Sequence, residues 1–325
     1  MKNKRLLGAI VGDILLSTFR TDKNINKESL ITDKSKITGY TVITLGIAKY
    51  IMDNHHLYEG AKEPGRSAKR KELLAKSVLD LAEKHPDLEY PVWFQDWATN
   101  GKSTKDKDGI FPTCLSPAAI YFCNKTDLDS TLRMITEATQ VFITDKETVI
   151  GTKALSTAIY SVQQYSEAQA LADFLKCLYN INIPDNLDEL PSKYGWNTSA
   201  IKALGPSIRV FFKVSGDSRD EAIYIINIII DGLHTLVTPY VMTLMQAHHC
   251  FWGEDDNMDE YRLLLPKDLL EINDEFYEFM SKYNIGYIED DDIEIEDEDL
   301  ECEDYENISD EDNGSMNFSD LLKQL

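Results

Sequence analysis

Apolar residues recur at three- and four-residue spacing along most of this chain, while runs that alternate at every second position are short and scarce. That pattern restricts the fold more than any motif does. A 3.6-residue period gathers apolar groups on one face of a helix and cannot line one face of a strand. The stretch "RLLGAIVGDILLSTF" sets Leu6, Ala9, Ile10, Asp13, Ile14 and Ser17 on one side, which predicts an apolar helix with a polar notch. Residues 41–53 form the next helix, and "KRKELLAKSVLDLAEKH" is amphipathic with its charges toward water. "TDKETVIGTKALSTAIYSVQQY" opens with Thr144 and Glu147 at capping-box spacing, and "SEAQALADFLKCLY" does the same with Ser166 and Gln169. "NTSAIKALGPSIRVFFKV" carries Gly205-Pro206 in its middle, which predicts a kink or a restart. "SRDEAIYIINIII", "HTLVTPYVMTLMQAHH" and "KDLLEINDEFYEFMSKY" complete the set, and the polar stretches 55–70 and 99–109 read as loops. The expected architecture is one all-α domain, residues 1–286, followed by a tail, residues 287–325.

Charge separates the two parts. Of the formal −23, residues 289–325 hold seventeen acidic residues and one lysine, hence −16, which leaves −7 for the rest. A body of that charge gives no electrostatic reason to bind nucleic-acid phosphates. The tail "IEDDDIEIEDEDLECEDYENISDEDNG" has too little apolar surface to offset its ordering entropy and is expected to be disordered alone. It ends in "SMNFSDLLKQL", where Ser319 stands at an N-cap position ahead of Leu321, Leu322 and Leu325. An acidic run followed by a short amphipathic piece has the composition of a segment that folds on a protein partner, so Glu289–Leu325 is the expected partner-binding element. "EDDDIEIEDED" lacks the glycine and ligand spacing of a calcium loop.

Five cysteines, Cys114, Cys123, Cys177, Cys250 and Cys302, are odd in number and form no C-x-x-C, which points to idle thiols in a reducing, cytoplasmic setting. The opening residues imitate a signal peptide, but Asp13 interrupts the apolar run and no small-residue cleavage site follows. No membrane span is expected. The nearest approach, "YIINIIIDGLHTLVTPYVMTLM", is broken by Asp231, His234 and Pro239 and reads as a buried helix pair. No G-x-S-x-G, phosphate-loop or dinucleotide fingerprint is present. His55-His56 suit a helix C-terminus, and His248-His249 point about 100° apart on a helix, which disfavours a shared ion.

The most unusual local pattern is Thr38-Gly39-Tyr40-Thr41, two hydroxyls at the mouth of an apolar helix. With "GAIVGD" at Gly8–Asp13 and "ITGYTVITLGIA" at 37–48, the chain resembles the ADP-ribosylglycohydrolase family, which includes the dinitrogenase-reductase-activating glycohydrolases. The resemblance runs from about residue 6 to about residue 250. Members open with G-A-I-x-G-D and continue with F-T-D-D-T-x-M-T-x-A-x-A. Their R-V-S-P falls on Cys114-Leu115-Ser116-Pro117, and their H-P-E-x-x-x-G-A falls on Asp145 to Thr152. Their P-x-A-x-x-A-F falls on "PSIRVFF", and their G-D-S-D-T-L falls on Asp231 to Leu236.

The resemblance implies an orthogonal bundle of helices and hydrolysis of N- or O-glycosidic bonds at a two-magnesium site. In the family, Asp pairs and threonines from two helices supply the hard oxygen ligands that magnesium demands. This sequence departs there. The adjacent Asp pair is Gly39-Tyr40, the late Asp positions are Gly232 and His234, and an acid that often follows the first helix is Arg20. Thr38, Thr41 and Thr235 remain, but three neutral hydroxyls cannot strip a divalent cation of its water. No cofactor is therefore expected, magnesium being the family's.

The expected role is that of an inactive member of the fold, not an enzyme, that binds a partner, with an immunity-type or anti-defence role suiting its charge. An alternative is a metal-independent binder or hydrolase of ADP-ribose-type nucleotides. There Arg20 neutralises a diphosphate, Tyr40 stacks on a base, His234 serves as acid or base, and Thr38, Thr41 and Thr235 line the ligand. A further alternative relocates the metal to Asp13, Asp145 and Asp231. For Asp13 itself the favoured role is structural, bonding backbone amides of a neighbouring helix.

Overall fold

A computed structural model describes residues 6–21, 31–59, 65–164, 168–184, 199–214, 236–248 and 258–283. The chain divides into two compact units, Met1–Tyr287 and Ile288–Leu325, and every described residue lies in the first.

The described residues form helices and no strand; a lone bridge joins Thr104 to Ile143. In chain order the helices are α1 (Gly8–Thr21), α2 (Gly39–Asn54), a 3-10 turn (His55–Tyr58), α3 (Arg66–Ala82), α4 (Val92–Asn100), α5 (Phe111–Cys114) and α6 (Ser116–Cys123). There follow α7 (Leu128–Phe142), α8 (Lys146–Gln163), α9 (Ala168–Tyr179), α10 (Ala200–Val214), α11 (Val237–Ala247), α12 (Asp259–Arg262) and α13 (Lys267–Lys282). The fold is all-α, as the periodicity requires.

The apolar run at the start is a core helix. Residues 6–18 are all buried, so α1 has no solvent face along that length. It lies along α11 at close range: a Cβ on Gly8 would collide with the Met242 carbonyl, and one on Gly12 with the Pro239 backbone. Two glycines four residues apart share one helix face, and their missing side chains let the two backbones approach. The buried N-terminus of α1 needs partners for its free amides. Side chains from far along the chain supply them. Leu7 N–H donates to Asn273 Oδ1 at 3.1 Å, Gly8 N–H donates to Gln246 Oε1 at 2.8 Å, and the Tyr277 hydroxyl donates to the Leu6 carbonyl at 2.9 Å. Helices α11 and α13 thus clasp α1 and fix where Asp13 sits.

Several local expectations change. Helix α8 is capped by Asp145, whose carboxylate accepts the Thr148 N–H at 2.9 Å, and not by Thr144. The Thr144 hydroxyl is instead spent on the Thr104 carbonyl, and Glu147 turns to Lys107, so no capping box forms. Helix α10 runs through Gly205-Pro206 without restarting. The carbonyl that loses its amide partner belongs to Lys202, an exposed residue that water can serve. The stretch 55–70 is not all loop, since it holds the 3-10 turn and the first residues of α3. Helices α4 to α7 were absent from the periodic segments above. They are short or buried nearly all round, except α7, whose Asp127 cap and amphipathic run carry the usual signature.

His55 ends α2 with Nδ1 3.0 Å from the Met52 carbonyl in the last turn, and its Nε2 meets the Tyr283 hydroxyl at 2.8 Å. Cys114, Cys123 and Cys177 are free thiols. No helix of the described residues is long and apolar enough to cross a membrane. The segment "SRDEAIYIINIII", the Ser166 cap, the late motif at Asp231, His234 and Thr235, His249 and the acidic tail all lie outside the described residues.

Candidate functional site

The mouth of α2 is organised by two buried carboxylates. Asp13, 2% exposed, projects from α1 toward the first turn of α2. Its Oδ2 accepts the Thr38 N–H at 2.8 Å and the Thr41 hydroxyl at 2.7 Å, and its Oδ1 accepts the Thr38 hydroxyl at 2.7 Å. Thr38 is also the N-cap of α2, taking the Tyr40 N–H on its hydroxyl oxygen. Asp13 therefore does bond a backbone amide of the neighbouring helix, and both flanking threonines donate to it. Burial raises the Asp13 carboxyl above its ordinary 3.8, against the opposing pull of the Thr41 and Thr38 hydrogen bonds.

The second carboxylate, Asp108, was not singled out by sequence. It ends the loop after α4, and its Oδ1 accepts the N–H groups of Ile110 and Phe111 at 2.7 and 2.8 Å. Its Oδ2 accepts the Tyr40 hydroxyl and the Trp93 indole N–H, each at 2.6 Å. The Asp108 amide donates to the Thr148 hydroxyl oxygen at 3.1 Å, and Thr148 is the residue capped by Asp145. Tyr240 of α11 closes the ring by donating to the Gly109 carbonyl at 2.8 Å. The available signal was Asp-Gly two residues ahead of Phe-Pro, a turn-forming pair before a proline-started helix.

Between the carboxylates stand Gly39 and Tyr40. A Cβ on Gly39 would lie 2.8 Å from the Tyr90 Cα and closer still to its ring, so this position has no room for a side chain. Tyr90 is held there: the Gly39 N–H donates to the Glu89 carbonyl at 2.9 Å, the Tyr90 hydroxyl donates to the His85 carbonyl at 3.0 Å, and the ring stacks on Phe94. The Tyr40 ring packs against the core. Burial, then the Asp108 charge, push its phenol far above the ordinary range, while Arg20 acts in the opposite sense. Burial likewise pushes up the Cys114 thiol, which bonds the Tyr40 carbonyl.

The structure thus brings together Thr38, Thr41, Tyr40 and Asp13, and sets Arg20 near enough for its charge to reach Tyr40. Arg20 itself is exposed on the last turn of α1. Asp145 serves as the α8 cap and shares no ligand set with Asp13, and Asp231 falls outside the described residues. Among the described residues no group of three or more His, Cys, Asp or Glu is placed to hold a metal ion. Among the described residues the α2 mouth offers magnesium no unengaged carboxylate: position 39 has no room for a side chain, the Tyr40 phenol is committed to Asp108, and Asp13 accepts three donors.

No family model matches the chain, and no curated protein does. Among solved structures it is similar to an ADP-ribosylglycohydrolase-related protein complex, with a TM-score of 0.54 and 12% identity over 83% of this chain and 94% of that one. Likeness at that identity defines the class of fold: an all-α, ADP-ribosylglycohydrolase-like bundle.

Proposed function

We propose that this chain is a catalytically inactive protein of the ADP-ribosylglycohydrolase-like fold that acts by binding. Residues Glu289–Leu325 would engage a protein partner with a basic surface. The observation that carries the first half is position 39, where the anchored Tyr90 excludes any side chain, carboxylate included. The charge of −16 on residues 289–325 supports the second. Occlusion of a partner's basic active site, as in an immunity or anti-defence role, suits that charge. The test is hydrolysis of N- and O-linked ADP-ribose conjugates with and without magnesium, alongside calorimetric magnesium titration. No turnover and no specific heat are expected; micromolar magnesium binding overturns the reading. A chain ending at Tyr287 should lose a basic partner that the full chain captures.

One observation favours a second reading. Arg20 is an exposed cation beside the mouth, a group suited to a diphosphate. Metal-independent binding of ADP-ribose would appear as thermal stabilisation without magnesium that Arg20→Ala abolishes.

A further inference from the structure

The same mouth carries a second message, which rests on reading it as a site without metal. Asp108 is positioned independently of Tyr40. Two backbone amides hold its Oδ1 and the Trp93 indole holds its Oδ2. The carboxylate is therefore a preset acceptor, 8% exposed, waiting for one more donor. The Tyr40 hydroxyl supplies that donor at 2.6 Å, a short bond of the charge-assisted kind. The backbone that carries the phenol is fixed as well, through the Gly39 amide to Glu89 and the Tyr40 carbonyl to Cys114.

We propose that the Tyr40 phenol is a built-in occupant of the α2 mouth, latched at its hydroxyl by Asp108, so that the chain itself fills the place where a ligand would sit. A ligand entering there must break the latch and leave a buried carboxylate short of a donor, which low-dielectric surroundings penalise heavily. The geometry also states what the place accepts. The acceptor is anionic, so the space suits a neutral aromatic with a hydroxyl. A phosphate in contact with Asp108 would face its charge.

The experiment removes the occupant and offers it back. In full-length Tyr40→Ala, thermal unfolding is recorded with millimolar phenol and, separately, with toluene. The variant should melt below wild type. Phenol should raise its melting temperature, toluene should raise it less, and wild type should respond to neither. No response to phenol, equal responses to both compounds, or a wild-type response of the same size overturns the proposal. Should Tyr40→Ala not fold, the pair Tyr40→Phe and Asp108→Asn decides. Tyr40→Phe should lower the melting point of wild type and leave that of Asp108→Asn nearly unchanged; purely additive effects overturn the latch. Failure here is distinct from failure of the inactive reading, since turnover of an ADP-ribose conjugate sinks the latter without touching the phenol response.

Discussion

Replacing Gly39 by alanine tests whether the α2 mouth has room for a side chain at that position. Alanine is ordinarily favoured over glycine within a helix by about 1 kcal/mol, so an unobstructed site should gain stability. Here the new Cβ meets Tyr90 Cα and Cγ at 2.8 Å, and one of those atoms is backbone. Tyr90 is partly buried and tethered: its hydroxyl is bonded to the His85 carbonyl, its ring lies 5.0 Å from that of Phe94 at 18°, and the preceding carbonyl holds the Gly39 amide. Contacts under 3.0 Å that include backbone put the overpacking cost in the upper half of the usual range, about 2–3 kcal/mol, so a net loss of about 1–2 kcal/mol remains after the propensity gain. At about 2–4 °C per kcal/mol for a domain of this order, the melting temperature should fall by about 2–8 °C. Urea unfolding should show a lower midpoint at an unchanged slope. Gly39→Asp, which introduces an acid, should lose more and gain no magnesium affinity. If Gly39→Ala is as stable as wild type, or Gly39→Asp folds normally and binds magnesium, the steric reasoning is wrong.

Three other outcomes follow from particular contacts. Burial raises Asp13, so the folded state holds that proton more tightly than the unfolded chain; this contribution is complete below 3.8 and is lost as pH rises through the folded value. The stability difference between wild type and Asp13→Asn, followed by urea midpoints across that range, should therefore move in the variant's favour as pH rises. Arg70→Ala removes two 2.8 Å bonds to Glu137 and a guanidinium 5.0 Å from the Tyr58 ring centre, and should cost about 1–3 kcal/mol by chemical unfolding. Asn273→Ala uncaps the Leu7 amide inside the core and should cost about 1–2 kcal/mol, read as a lower melting temperature.

Much of the bundle was legible in the sequence because helices with one wet face announce themselves by period. Helix α3 and helix α13 are of that kind. Helices buried all round carry no such contrast. Helix α6 is buried at every position from Ser116 to Cys123, and its eight residues give periodicity nothing to measure. The helix-mouth residues Thr38, Tyr40 and Thr41 were visible because hydroxyls where a polar run meets an apolar helix usually either cap the helix or hold something. Asp13 was visible because it breaks an apolar run. Asp108 was hidden for the opposite reason: it sits in the polar stretch 99–109, where one more acid is unremarkable, and only the fold buries it under Tyr40 and Trp93. The Thr144 cap misled because the helix starts one residue later, with Asp145 taking the Thr148 amide, while a neighbouring loop claims the threonine.

The two buried carboxylates also bear on where binding resides. Each is surrounded by neutral donors, Asp13 by two threonines and Asp108 by a phenol, an indole and two amides. Neutral dipoles aimed inward satisfy a carboxylate without adding net positive charge to the mouth. A diphosphate approaching it would find Arg20 as a nearby cation and two buried acidic side chains behind. A divalent cation would find carboxylate oxygens already engaged by donors it would have to displace. The largest concentration of charge in the chain is instead the −16 of residues 289–325. Under the proposed reading a positively charged partner would be drawn to those residues, and that electrostatic asymmetry is the physical reason to test them first for a binding function.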